Sequence, residues 1–139
     1  MRKLKTRLAD INSRLWRNKA DKAWAKVIHL EGKCAVCGVT ESQLQAHHLI
    51  PREVLHFRHV RANGVLLCVR HHKYGVNFSA HKSPAVFMVW LKDNRPDQWS
   101  WLADAITKIV YPTPPEMLNF KRAWAVNILQ TAPSEDDHG

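Results

Sequence analysis

Cys34-Ala35-Val36-Cys37, then His47-His48, then Asn63-Gly64-Val65-Leu66-Leu67-Cys68-Val69-Arg70-His71-His72: the reading of these residues decides the fold. Cys34 and Cys37 form one knuckle with two intervening residues, and Cys68 and His71 repeat that spacing. Two such knuckles can clamp one tetrahedral zinc, and histidine is an acceptable ligand at the fourth position. Gly32 and Gly38 bracket the first knuckle, which suits its tight backbone turns. The competing reading is three reduced core cysteines beside unrelated histidines. The interval between the knuckles has room for a strand, a loop and a second strand. Leu44 to Ile50 reads as the first strand, stopped by Pro51, and Val65 to Cys68 as the second. Residues 52–62 form a basic loop carrying Arg52, Arg58, Arg61, His56 and His59.

Ahead of the first knuckle, Leu4, Leu8, Ile11 and Leu15 fall on one helical face, continued by Ala20, Ala23, Trp24, Val27 and Ile28. The pattern predicts one long helix, or two with a break near Asn18 to Asp21. Beyond the second knuckle, Gly75 keeps any helix starting at His71 short. Ser83-Pro84 is a helix start, with Val86, Phe87, Trp90 and Leu91 as its buried face. Trp99, Leu102, Ile106 and Ile109 mark another helix. Thr113-Pro114-Pro115-Glu116 opens a last one, faced by Met117, Phe120, Trp124 and Ile128. The six tryptophans lie in these helices and read as core rather than as base-stacking platforms.

The 139 residues fit a single domain, 1–132, followed by an acidic tail, 133–139. Within the domain, 1–33 is a basic helical lead, 34–82 the knuckled centre and 83–132 a helical C-terminal part. The formal charge of +9 is concentrated in the first two parts, whereas residues after 82 are net acidic. A polyanion is drawn to such a surface, and nucleic acid is the commonest one. Three cysteines cannot all pair, no signal peptide is evident and no apolar run reaches membrane-spanning length. The expectation is a soluble protein in a reducing cytoplasm.

The spacing of Cys34, Cys37, His47-His48, Asn63, Cys68 and His71-His72 resembles that of the HNH endonuclease family over residues 34–72. In outline the flanks are similar to small phage-type HNH proteins. The resemblance implies an α+β fold in which a zinc-stapled ββα-metal finger, the His-Me finger, carries additional N- and C-terminal helices. It implies an activity too: metal-dependent hydrolysis of DNA phosphodiester bonds, as an endonuclease or nickase. His48 then corresponds to the general base, and Asn63 to the residue whose amide pins the loop and orients it. His47 and His72 correspond to ligands of a catalytic divalent cation, by default magnesium, with manganese, nickel or zinc also suited to histidine. This chain departs from the family at the structural site, where His71 stands for the usual cysteine. It departs again at Val76, where some relatives carry another metal histidine. His81 is the candidate substitute, with a surface or capping role as its competitor.

A tension accompanies the histidine pair, because adjacent residues on a regular strand point to opposite faces. Both can serve one site only where the strand ends or bends. Arg52, Arg58, Arg61, Arg70 and Lys73 surround the centre and are the expected DNA contacts, positioning phosphate without reading sequence. A homodimer, or a phage or host protein partner, is compatible with this reading. Two others share the frame: a zinc-containing DNA-binding protein that does not cut, and a nuclease subunit active only within a partner complex.

Overall fold

A computed structural model of the chain describes residues 14–41 and 43–109. Helix α1 (Arg14–His29) forms where Ala20, Trp24, Val27 and Ile28 recur at helical spacing, and these four are its buried residues. It runs without a break through residues 18–21; the earlier part of the expected helical lead lies outside the described residues. Lys26 and His29 occupy its last turn, where positive charge complements the helix dipole.

Strands β1 (Leu44–His48) and β2 (Gly64–Cys68) pair antiparallel, from Leu44 opposite Cys68 to His48 opposite Gly64. The first strand stops two residues short of the expected Ile50. The cause is Asn63, whose carbonyl accepts from the Leu49 amide at 2.9 Å and whose side-chain oxygen accepts from the Ile50 amide at 2.6 Å. The Leu49 bond is still in register with the strands; the ladder ends because the Asn63 amide turns to the Val60 carbonyl and the Ile50 amide is taken by the Asn63 side chain. All five residues of β2 are buried, which explains why it reads as an apolar run rather than an alternation. Leu66 packs on Trp24, Val27 and Ile28 of α1, while Val65 and Leu67 join Phe87, Leu91 and Leu102 on the other face. The sheet therefore lies between α1 and the C-terminal helices.

Gly64 makes the approach of α1 possible. A β-carbon there would lie 2.4 Å from Ile28 Cδ1 and 2.7 Å from Trp24 Cζ2. The space that any other side chain needs is filled by the indole ring.

Helices α2 (Pro84–Asn94) and α3 (Pro96–Ile106) both begin with proline, which costs no hydrogen bond in the first turn. Ser83 precedes α2 as expected but does not cap it through its side chain. Its hydroxyl instead accepts from the Ser79 amide and donates to the Ser79 carbonyl, closing the preceding loop. Two expected core positions are corrected: Val86 and Ile106 are exposed, at 47% and 54%. Phe87 and Leu91 carry the buried face of α2, and Leu102 and Ala105 that of α3. Ile109, expected on that helix, lies beyond its end and is exposed.

The described residues are thus α+β, a two-stranded antiparallel sheet among helices, and none of their helices is long and apolar enough to cross a membrane. The start of the basic lead, the last expected helix and the acidic tail lie outside the described residues.

Candidate functional site

The first knuckle is a turn closed by the Gly38 amide donating to the Cys34 carbonyl at 2.8 Å. Gly38 has φ +74°, a left-handed conformation that glycine adopts without strain. The Ala35 amide donates to the Leu66 carbonyl at 2.8 Å, which ties this turn to β2. The second knuckle leaves the end of β2 through a single π-helical turn, Arg70–Tyr74, closed by the Gly75 amide on the Arg70 carbonyl. That turn matches the short helix expected after His71.

The two knuckles converge. Cys37 Sγ lies 3.9 Å from Cys68 Sγ, and His71 Nδ1 lies 3.7 Å from Cys34 Sγ and 3.2 Å from Cys68 Sγ. A tetrahedral ion with metal–sulfur bonds of about 2.3 Å and a metal–nitrogen bond of about 2.05 Å requires edges of about 3.8 and 3.6 Å. The observed separations straddle those values, so Cys34, Cys37, Cys68 and His71 can hold a metal ion, consistent with the expected structural zinc. Burial opposes ionisation of Cys34, but backbone hydrogen bonds at Cys37, Cys68 and Val36 outweigh it and lower the thiol pKa. Burial raises that of Cys68.

A second set forms around the neighbouring residue of the same turn. His47, His72 and His81 each bring a ring nitrogen to within 4.8 Å of the others. His81 arrives on the returning loop, whose Ala80 and His81 amides donate to the His71 and His72 carbonyls at 2.8 and 3.0 Å. Its Nε2 then stands 3.0 Å from Nε2 of His72. Val76, the non-ligating residue that makes His81 the candidate substitute, is 72% exposed. Burial, reinforced by the neighbouring His72, His81 and His48 rings, lowers the pKa of His47 to about 3. Burial, with His81 and Lys73, lowers that of His72 to about 4. Both rings are therefore neutral near pH 7, the form in which imidazole binds a metal. Gln45, which sequence reasoning overlooked, accepts from His72 Nδ1 at 2.6 Å and so leaves the Nε2 lone pair facing the set. It lies two residues before His47 on the same face of β1, a spacing that in retrospect is the signal.

His48 is not in this set. The strand stays regular through its last residue, and the His48 ring turns to the other face, stacked on Trp24 with centroids 3.9 Å apart and planes 11° from parallel. Its Nε2 lies 2.9 Å from the Arg58 carbonyl. A carbonyl only accepts, so Nε2 carries the proton and Nδ1 the lone pair. Burial lowers the His48 pKa, offset in part by that hydrogen bond. Trp24, read as core, is thus a partner of the histidine as well.

The loop between the strands is held from within by Asn63, which is wholly buried. Its amide nitrogen donates to the Ile50 and Phe57 carbonyls at 3.0 and 3.1 Å, and its oxygen accepts from the Ile50 amide. From outside, α1 holds the same loop: Trp24 Nε1 donates to the Val60 carbonyl at 2.9 Å, and Asp21 engages Arg58 and His59.

These contacts correct two expectations. Arg58 is not a free DNA contact, since its guanidinium is committed to the Asp21 carboxylate and its side chain is only 12% exposed. His59, which the sequence places in the basic loop and which on such a loop would face DNA or solvent, is buried against the same carboxylate. Both residues looked available because their partner lies on a different element, far back in the chain. Arg52, Arg61, Arg70 and Lys73 are exposed, and Arg52 edges a cleft that also includes His48, Trp24 and Asp21.

No family model, curated protein or solved structure matches this chain. The chemistry therefore rests on the residues themselves: two ligand sets on successive histidines, and a third histidine in a fixed tautomer.

Proposed function

We propose that the chain is a metal-dependent DNA endonuclease or nickase of the HNH kind, with a ββα-metal finger formed by β1, β2 and the turn after them. The observation that carries the proposal is the pairing of His47, in a three-imidazole ligand set, with His48, whose Nδ1 lone pair is left open by the bond to Arg58. A structural zinc at Cys34, Cys37, Cys68 and His71 fits the donor set and its edges.

His48 acts as general base, taking a proton from the attacking water on Nδ1 while Nε2 stays bound to the loop. Asn63 sets the path of that loop and so the direction of the ring. A divalent cation bound at His47, His72 and His81 would supply charge stabilisation to the phosphate and the leaving oxygen. Three imidazoles, without a carboxylate in the set, suit manganese, nickel or zinc better than magnesium. Because His47 and His48 occupy opposite faces, the scissile phosphate must lie over the exit of β1, where adjacent α-carbons are only about 3.8 Å apart. Arg52, Arg61, Arg70 and Lys73 remain as phosphate contacts.

The stack of His48 on Trp24 favours a second reading, a zinc-containing DNA-binding protein in which His48 is structural. Plasmid nicking with manganese, nickel, zinc or magnesium added to the zinc-loaded chain separates the two. We expect cutting that falls by about 100-fold or more in His48→Ala, the scale of a lost general base. Equal, background-level products from wild type and variant would leave the binding protein as the answer.

A further inference from the structure

The peptide group whose carbonyl receives His48 joins Arg58 to His59, and both flanking side chains end on one carboxylate. Arg58 donates from Nε to Asp21 Oδ1 and from Nη2 to Oδ2, each at 2.7 Å. His59 donates from Nε2 to Asp21 Oδ1 at 2.6 Å. A forked guanidinium on a carboxylate fixes orientation as well as distance, and charge-assisted hydrogen bonds are roughly twice as strong as neutral ones. Rotating the Arg58–His59 peptide plane would break contacts on both sides of it at once.

Backbone bonds brace the loop on either side of that plane, the Arg58 amide donating to the Leu55 carbonyl at 3.3 Å and the Val60 amide to the Phe57 carbonyl at 3.2 Å. The loop's regular structure consists of two short 3-10 turns, Leu55–Phe57 and Arg61–Asn63, with residues 58–60 between them. The Asn63 side chain reaches Ile50 and Phe57, and its backbone amide donates to the Val60 carbonyl at 3.1 Å; none of these bonds reaches the peptide that joins Arg58 to His59. Helix α1 covers that gap: Asp21 takes the side chains of Arg58 and His59, and Trp24, one turn on, takes the Val60 carbonyl. Burial works against the Asp21 charge, yet the bonds from His59 and Arg58 and the Arg58 charge hold its carboxyl well below the usual range. The clamp is therefore ionised and intact at neutral pH.

We infer that Asp21 is a positioning residue for His48: through Arg58 and His59 it aims the Arg58 carbonyl that selects the Nε2–H tautomer and leaves Nδ1 open. The inference rests on the proposed role of His48 only for its consequence for rate. Its structural part, the tautomer, stands apart from any activity. Helix α1 lies before the residues that carry the family resemblance, so this assigns a site role to a segment outside the motif.

The test uses the full zinc-loaded chain, as wild type, Asp21→Asn and Arg58→Lys. Asparagine keeps the shape but presents one acceptor where the clamp uses two oxygens. Lysine keeps the charge but cannot fork. Circular dichroism and zinc content identify which variants are folded, and Arg58→Lys, the milder change, keeps the question answerable should Asp21→Asn unfold. Long-range nitrogen–proton NMR correlations then read the His48 ring at pH 7.5. The expected result is a single Nε2–H form in wild type and a mixture with the Nδ1–H form in each folded variant. Nicking kcat should fall by roughly 10- to 100-fold, the scale of a misaimed catalytic group, with KM nearly unchanged. A His48 ring that stays wholly Nε2–H in the folded variants overturns the inference, whatever the rate does. A wild type that does not cut removes only the rate prediction.

Discussion

The two faces of β1 carry adjacent histidines in opposite states of commitment. On one, Gln45 and His47 look toward His72, His81 and Phe87, a cluster of rings with no carboxylate in its ligand set. On the other, Ala46 and His48 meet α1, where the Trp24 indole binds the Val60 carbonyl of the loop and the Asp21 carboxylate binds Arg58 and His59. The first face gathers lone pairs and leaves them facing one another, the condition for receiving a cation. The second ties its carboxylate to the Arg58 and His59 side chains and leaves one histidine nitrogen oriented. The lesson is that a strand's strict alternation can separate two chemistries at successive residues without separating them in space by more than the width of the strand.

The largest expected effect removes what both faces share. Cys68→Ser should abolish metal binding at the knuckles and with it cooperative unfolding, since structural zinc supplies on the order of 10 kcal/mol in small zinc domains. Thermal denaturation monitored by circular dichroism checks this, and a sharp transition with zinc absent would show that the helices alone define both faces.

A smaller change breaks only the His48 face. Gly64→Ala places a methyl group against the Trp24 ring and the end of Ile28. Overpacking of this kind costs about 1–3 kcal/mol. We expect a lower urea midpoint and altered Trp24 fluorescence, with cobalt or nickel binding at the His47 face retained. Loss of that binding would mean that the faces are not independent.

The smallest effect sharpens the other face. Gln45→Ala removes the acceptor that orients His72, and such outer-shell partners are worth about 10- to 100-fold in metal affinity. Titration with nickel after the cysteine-bearing set has been filled with zinc measures it. Unchanged affinity would show that packing among the rings alone aligns His72.

Much of the site could be read from the chain because its signals are local. The x2 spacings locate the knuckles, Val65 to Cys68 is a continuous apolar run, and Pro84 marks the start of α2. What escaped is what depends on distant elements. Arg58 and His59 look like a basic loop until Asp21, on α1, is placed opposite them. His81 can be offered from the sequence only as a substitute ligand beside a surface or capping role, and what brings it to His72 is the loop after Gly75 folding back on that turn. Val86 and Ile106 fit helical periodicity, but α2 and α3 are short and each buries only a narrow stripe. Asn63 shows the mixed case: Asn-Gly suggests a turn, whereas its capture of Ile50 and Phe57 depends on a loop that no pattern of hydrophobicity describes.

The turn Arg70–Tyr74 has a thermodynamic consequence. Its successive residues His71 and His72 belong to different ligand sets, so one short stretch of backbone must be ordered for either to fill. Occupancy of the cysteine-bearing set would order that stretch in advance, and an ion entering the proposed histidine set would then bind with a smaller loss of conformational freedom. Linkage makes the relation reciprocal, and an ion at His72 would raise the affinity for the one held through His71 by the same factor. Two cations that never share a ligand would thereby load cooperatively, in a preferred order.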